Sequence, residues 1–302
     1  MNLKSPKLTI ITPTYNRKDL LKKCFQSLMK QTCFDFEWII VDDGSTDGTE
    51  AEIRSLLDAE FPFSTMYVMK ENGGKHTALN AAHPYIHGKY VLILDSDDTL
   101  TSDAVETVLN GWSKYDANAD IGIVIFLKQL SDGTICARGK AEDIVIDVLN
   151  QKRICNVASD CCEVIRTELF KKYPFPVFDG EHFLAETALW YRAGVDSKCV
   201  YINKPIYICE YLEGGLTKSG KNMRIRNCHG GMYTSYLRMN RRCALNERIK
   251  AGLLYVCYGC FAKISIAEML KKAKGCRCWT LMCLIPGTAL YFYWKPLYKG
   301  RE

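Results

Sequence analysis

Across its 302 residues the sequence has no Asn-x-Ser/Thr sequon, only five histidines, no internal repeat and no low-complexity linker. Long apolar runs are missing too: the uncharged stretches 251–262 and 278–294 fall at or below the roughly 17–25 residues that span a bilayer, which excludes a polytopic membrane protein. With 48% apolar and 25% charged residues, wholesale disorder is also excluded. Acidic residues are scarce in one place. Residues 218–302 hold 17 Lys/Arg against 3 Asp/Glu, whereas residues 1–217 hold 23 against 31. A basic appendage on a mildly acidic body implies an anionic partner surface, either nucleic acid or lipid. What is abundant is cysteine, at fifteen. The odd count, the missing sequon and the start Met1-Asn2-Leu3-Lys4, which runs straight into a strand-like segment, argue for a reducing, cytoplasmic setting over a secreted disulfide scaffold.

The first 130 residues alternate short apolar runs with helix-period segments, the pattern of βα units around a mostly parallel sheet. Leu8-Thr9-Ile10-Ile11, Trp38-Ile39-Ile40-Val41, Met66-Tyr67-Val68-Met69 and Tyr90-Val91-Leu92-Ile93-Leu94 read as strands one to four. A helix from Asp19 to Gln31 places Leu20, Leu21, Cys24, Phe25, Leu28 and Met29 on one face. A second amphipathic helix carries Ile53, Leu56 and Leu57, and a short one runs from about Lys75 to Ala82. Ser102 is placed to cap a helix through Val105, Val108 and Leu109, and Ile121 to Leu127 is a fifth strand. Residues 131–217 predict a mixed or antiparallel extension of the sheet with one helix near Ala185 to Ala193; beyond Lys218 the chain is helical and basic.

Polar residues gather where each of the first four strands ends. Thr12-Pro13-Thr14-Tyr15-Asn16, Asp42-Asp43-Gly44-Ser45-Thr46-Asp47, Asn72-Gly73-Gly74-Lys75-His76 and Asp95-Ser96-Asp97-Asp98 follow strands one to four in turn. Open α/β sheets bind ligands at the carboxyl ends of their strands, so these loops converge on one edge. Three aspartates in four positions raise one another's pKa unless a cation sits among them. Oxygen donors without nearby His or Cys favour Mg²⁺ or Mn²⁺, held by one or two carboxylates plus substrate phosphates. The substrate inferred is a nucleotide-linked phosphate.

These loops, with Arg17 after the first and Ala78-Leu79-Asn80 after the third, resemble the successive motifs of family 2 glycosyltransferases over about residues 6–130. The resemblance implies an α/β GT-A fold: a mostly parallel nucleotide-binding sheet with helices on both faces, here followed by a helical, basic C-terminal segment. It implies an inverting transfer of a sugar from a nucleoside diphosphate to an acceptor hydroxyl. Carried over by position, Thr12, Pro13, Tyr15, Asp42, Lys75, Asp95, Ser96 and Asp97 belong to the donor site. Tyr15 would stack on the base, Asp42 accept a hydrogen bond from it, Lys75 lie near the nucleotide and Asp95 hold the ribose side. Asp97 and Asp98 would carry Mn²⁺ or Mg²⁺ and the diphosphate. The family's Gly-Glu-Asp segment, whose last acid is the general base, corresponds to Ala185-Glu186-Thr187-Ala188-Leu189-Trp190, so Glu186 stands where the base would be and Asp179 and Glu181 are the alternatives. The implied organisation is a catalytic domain over 1–217, with nucleotide-sugar binding in about 1–100 and the acceptor half in about 101–217, then a membrane-associating segment over 218–302.

Other signals fail on their chemistry. Residues 215–222 nearly match a P-loop, but Asn222 replaces the Ser/Thr that holds Mg²⁺, so the segment is read as a mobile loop over the active site. Residues 43–54 open like an EF-hand, yet Arg54 stands where a bidentate Glu is required. Cys257 and Cys260 lie in an apolar run where thiols act as small hydrophobes, and the Cys276-x-Cys278 spacing is wrong for zinc. His76, beside Lys75, is read as a surface residue, with contact to a phosphate as the alternative. In the tail, Trp279, Tyr291, Phe292, Tyr293 and Trp294 bracket an apolar stretch edged by Arg277 and Lys295, which predicts interfacial attachment to an anionic membrane surface rather than nucleic-acid binding. The expectation is a metal-dependent enzyme, cytoplasmic and peripheral to the inner face of the membrane. It would use a UDP-sugar donor and a glycan or lipid-linked acceptor, as in surface polysaccharide synthesis. A sugar-nucleotide pyrophosphorylase, which would carry a Gly-x-Gly-Thr-Arg type loop after strand one, and a non-catalytic nucleotide- or glycan-binding module are the alternatives.

Overall fold

The four apolar runs form β1 (Leu8–Thr14), β2 (Phe36–Asp42), β3 (Ser64–Met69) and β4 (Tyr90–Ile93) in a computed structural model of the chain. It describes residues 5–58, 60–136, 144–150, 161–210 and 216–298. Every residue of β1 and β2 is buried, as continuous apolar runs require of parallel strands covered on both faces. The strands pair in parallel in the order β3-β2-β1-β4, with Thr14 opposite Asp42 and Asp42 opposite Met69. Their carboxyl ends therefore share one edge. The ladder carries on into the loops: Asp43 N donates to Thr14 O, Lys70 N to Asp42 O and Leu94 N to Ile11 O, each at 2.9 Å.

Between these strands run α1 (Lys18–Met29), α2 (Thr49–Leu57) and α3 (Lys75–Ala81). Leu21, Cys24 and Leu28 of α1 join Trp38 and Ile40 in the core. His76, read from sequence as a surface residue, is instead buried in α3 at 2% exposure. After β5 (Thr99–Leu100), α4 (Ala104–Ser113) starts one position later than predicted, with Asp103 and not Ser102 at its N-cap and no capping side-chain bond. Ser102 contributes its carbonyl to Thr32 N instead.

The sheet then turns mixed, as expected. β8 (Cys162–Arg166) lies antiparallel between β4 and β6 (Ile121–Leu130), and β9 (Lys198–Cys209) runs parallel to β6. β5 and β7 (Val145–Asp147) both pair antiparallel with β9. Helices α5 (Thr167–Lys172) and α6 (Thr187–Asp196) lie between β8 and β9 in the chain.

The chain divides into two units, Met1–Phe175 with Ala193–Tyr211, and Pro176–Arg192 with Leu212–Glu302. The boundary near 211 lies close to the compositional break, while 176–192 joins the second unit despite its distance along the chain. That second unit contains α7 (Leu216–Arg226), α8 (Cys228–Arg238), α9 (Leu245–Phe261), α10 (Ile266–Lys272) and α11 (Arg277–Tyr298). The segment 215–222, expected as a loop, starts outside the described residues and from Leu216 is helical, broken at Gly220.

Helix α9 is the unit's core, burying Ala251, Tyr255, Val256, Cys257 and Tyr258. Burial pushes the Cys257 thiol up to about 12, in keeping with a hydrophobe rather than a metal ligand. Thr280, Cys283, Gly287 and Trp294 form the inner face of α11, and a Cβ on Gly287 would come within 2.7 Å of Val256. Beyond the exposed Arg277 at its start, its outer face exposes Leu281, Met282, Ile285, Phe292, Tyr293 and Leu297, with Ile285 85% exposed. Among the described residues no helix is long and apolar enough to cross a membrane.

Candidate active site

The β1 and β2 loops are tied together by Asn16. Its side-chain oxygen accepts Thr46 N at 2.8 Å and its own N–H donates to Ser45 Oγ at 2.8 Å, with Asn16 in the left-handed region at φ 50°. Tyr15 beside it is 47% exposed. Thr12 and Pro13 are buried, and the Thr12 hydroxyl accepts the indole N–H of Trp38 at 2.9 Å. Asp42 is fully buried, its carboxylate accepting from Ser45 N at 2.8 Å and from the Tyr67 hydroxyl at 3.1 Å.

Asp43, the next residue, organises the third loop, a role the sequence reading missed. Its Oδ1 accepts from Lys70 Nζ at 2.6 Å and Gly73 N at 3.1 Å, and its Oδ2 from Gly74 N at 2.6 Å and Asn72 Nδ2 at 3.2 Å. Gly44, at φ +81°, lets the two loops meet: a Cβ there would stand 2.8 Å from Asn72 N. Asp43→Ala would leave the Lys70 ammonium and two loop amides without their carboxylate. It should lower unfolding free energy by about 2–3 kcal/mol in urea titrations. An unchanged midpoint would show that Asp43 does not hold this loop.

The fourth loop collects the acids. Arg17 Nη1 pairs with Asp97 Oδ2 at 2.5 Å, Lys75 pairs with Asp95, and Asp98 Oδ1 accepts Glu210 N at 3.1 Å. From β9, the Tyr207 hydroxyl accepts Asp95 N at 3.0 Å, and Lys128 of β6 sits 4.2 Å above the Tyr207 ring. Burial opposes ionisation of Asp95, but Lys75, Lys128 and Arg17 hold it below the usual carboxylate range. Asp98 goes the other way. Burial and the charges of Asp95 and Asp97 push it up to about 6, against the pull of the Tyr207 hydrogen bond and Lys128. Ser96 is buried between them. Cys24 lies beneath this loop, and burial together with the three aspartates raises its thiol to about 12, so it is no nucleophile. Burial and two neighbouring carboxylates thus oppose the charge of Asp98 even with Lys128 acting in its favour. The all-oxygen donor set of Asp97 and Asp98 fits a hard divalent cation whose remaining ligands are phosphate and water.

In the second unit, Glu186 is half-buried and immediately precedes α6, its carbonyl accepting Leu189 N at 2.8 Å and Trp190 N at 3.3 Å. Glu181 is buried and serves the start of α8: its carboxylate accepts His229 N at 2.7 Å, Gly230 N at 2.8 Å and pairs with His229 Nδ1 at 2.9 Å. With Cys228 these groups come within 4.8 Å of one another. Burial and Glu181 raise the Cys228 thiol to about 11, which disfavours it as a ligand. Asp179 is exposed.

Residues 9–173, over half the chain, match the family model described as glycosyl transferase family 2. The chain belongs to that family. As a family 2 glycosyltransferase it is 26% identical to glycosyltransferase GlyG of Streptococcus pneumoniae over 224 residues, covering 70% of this chain and 73% of GlyG. It is 34% identical to glycosyltransferase GlyA of the same organism over 116 residues, 38% of this chain but only 16% of GlyA. A third relative, the GalNAc(5)-diNAcBac-PP-undecaprenol beta-1,3-glucosyltransferase of Campylobacter jejuni, is 35% identical over 108 residues, 34% of each chain. Among solved structures, S. aureus TarS 1–349 in complex with UDP-GlcNAc superposes with a TM-score of 0.63 at 18% identity, over 98% of this chain and 93% of that one. The mannosyltransferase PcManGT from Pyrobaculum calidifontis, in complex with GDP-Man and Mn²⁺, does so at 0.58 and 19%, over 99% and 82%. At these identities the likeness is one of fold, the GT-A fold of this glycosyltransferase family. Family membership sets aside the pyrophosphorylase reading.

Proposed function

We propose that this glycosyltransferase is metal-dependent and inverting, and moves a sugar from a UDP-sugar to a hydroxyl of a glycan or lipid-linked acceptor in surface polysaccharide synthesis. The observation that carries the reading is the edge where Arg17, Lys75 and the Asp95-Ser96-Asp97-Asp98 loop meet, Arg17 paired with Asp97 and Lys75 with Asp95. The UDP-GlcNAc bound to TarS, the Mn²⁺ bound to PcManGT and the lipid-linked acceptor in the Campylobacter enzyme's name support donor, metal and acceptor classes.

In this reading Tyr15 offers its exposed ring to the base. Thr12 and Pro13, whose side chains are buried, shape that site through the backbone, and Asp42 sets the base-side edge from beneath. Lys75 and Arg17 supply positive charge beside the diphosphate, with Asp95 and Ser96 on the ribose side. Mg²⁺ or Mn²⁺ held by Asp97 and Asp98 would supply Lewis-acid neutralisation of the leaving diphosphate. Glu186 takes the acceptor proton as the hydroxyl attacks the face opposite the leaving group, which inverts the anomeric centre. Thermal-shift screening of UDP-, GDP- and TDP-sugars with and without Mn²⁺ tests the reading, since a bound ligand raises the melting temperature by mass action. Selective stabilisation by a UDP-sugar with Mn²⁺ is expected. Equal response to every nucleotide, with or without metal, would overturn it.

The proposed location is cytoplasmic, peripheral to the inner face of the membrane, with the basic helical unit against anionic lipid. The exposed apolar face of α11 supports this, because an apolar stripe on a basic helical body is the signature of an interfacial helix. Deleting residues 278–302 would strip Cys283 and Trp294 from the unit's own core, so surface substitution is the cleaner test. Ile285→Glu with Phe292→Glu should lower binding to anionic vesicles about tenfold or more while the melting temperature stays near that of the parent. Undiminished binding would remove α11 from the membrane contact.

A further inference from the structure

The helical unit contains a cavity of about 470 Å³ whose wall includes Arg241, Arg248, Lys274 and Arg277, together with Trp279 and Met282 of α11. The two acids among the described residues 216–298, Glu247 and Glu268, pair with Arg238 and Lys272 instead. No carboxylate lines the cavity among the described residues. Four cations around one hollow make a local excess of positive charge that an anion would offset, and the structure holds at least two of them in place. The Arg248 guanidinium sits 4.6 Å above the Trp279 ring and its Nε donates to Met239 O at 3.3 Å, while Trp279 Nε1 donates to Arg248 O at 3.0 Å. Arg277 Nε donates to Leu270 O at 3.2 Å.

The second feature is what the cavity adjoins. Met282 is both part of its wall and 72% exposed, and it begins the apolar stripe that continues through Ile285, Phe292, Tyr293 and Leu297. A soluble phosphate would use the cations and leave the stripe unexplained. An amphiphile with an anionic head and an apolar tail matches both. We infer that the cavity receives the phosphate of an anionic phospholipid headgroup while the outer face of α11 lies among the first carbons of the acyl chains. The inference rests on the membrane-surface reading above and names the site through which that surface is recognised.

The test is co-sedimentation of the full chain with vesicles of phosphatidylcholine alone and of equal parts phosphatidylcholine and phosphatidylglycerol. Arg241→Gln with Lys274→Gln, both exposed at the cavity, should weaken binding to the mixed vesicles about 30-fold, the effect of roughly 1 kcal/mol for each of two cations. Lys250→Gln with Lys271→Gln, equally exposed but outside the cavity wall, should cost only a few-fold. Equal losses from the two pairs would overturn the cavity assignment while leaving the membrane reading intact. Parent protein that ignores both kinds of vesicle would overturn the membrane reading itself. Glycerol 3-phosphate that raises the melting temperature of such a protein, but not of the Arg241→Gln/Lys274→Gln variant, would assign the cavity to a soluble phosphate instead.

Discussion

Glu186→Gln should slow sugar transfer by roughly 100-fold or more and leave donor binding unchanged, because glutamine keeps the shape of the side chain but cannot take a proton. The two measurements together separate a base from a structural residue. Glu186 directly precedes α6, where a carboxylate is favoured by the helix dipole by about 0.3–1 kcal/mol, so a purely structural glutamate would cost stability and spare the turnover of the folded fraction. Glu181→Gln serves as the contrasting variant. Its carboxylate answers two backbone amides and the His229 ring at the start of α8, so its loss should appear in the melting temperature first. Asp179 is exposed, and Asp179→Asn should change neither. A large rate loss in either of those variants, with Glu186→Gln near the parent rate, would move the base elsewhere in the 179–186 segment.

Strands β1, β2 and β4 were legible because burial on both faces demands uninterrupted apolar residues, and Ile10, Ile11, Trp38 to Val41 and Tyr90 to Leu94 satisfy it. The loops were legible for the complementary reason: Thr14 and Asp42 end their strands in register, so polar clusters after successive strands must meet on one edge. What pattern alone does not contain is division of labour within a cluster. Asp42 and Asp43 are adjacent and chemically identical, yet one points to Tyr67 and Ser45 and the other takes the whole 70–74 loop. Only the register and the left-handed turn at Gly44 decide between them. Likewise Lys128 and Tyr207 reach the aspartates from β6 and β9, whose pairing depends on β-bulges and long chain separation. Arg17 sat within the quoted motif, but its partner lies 80 residues away, and only the fold reveals that it answers Asp97. The assignment of 176–192 to the helical unit is of the same kind, a tertiary choice with no local signal.

Asp98→Asn should abolish the Mn²⁺-dependent part of UDP binding and at the same time make the metal-free protein more stable at neutral pH. The first effect follows from removing a proposed metal ligand, and the second from burial and the neighbouring Asp95 and Asp97, which push the Asp98 carboxyl up to about 6 from its ordinary 3.8. For a carboxyl whose folded pKa lies above the unfolded one, ionisation works against the fold. The penalty is absent below about pH 4, grows between 4 and 6, and is complete above 6. A shift of this size corresponds to roughly 1–3 kcal/mol. Asparagine never carries the charge and keeps an oxygen for Glu210 N, so the metal-free variant should melt above the parent at pH 7.5 and level with it near pH 4. Calorimetric titration with UDP and Mn²⁺ should show the opposite ordering, since the charge that destabilises the empty loop is the one that holds the cation. Equal UDP affinity in variant and parent, with Mn²⁺ present, would remove Asp98 from the metal site. A variant less stable than the parent at both pH values would show that its hydrogen bonds outweigh the cost of its charge.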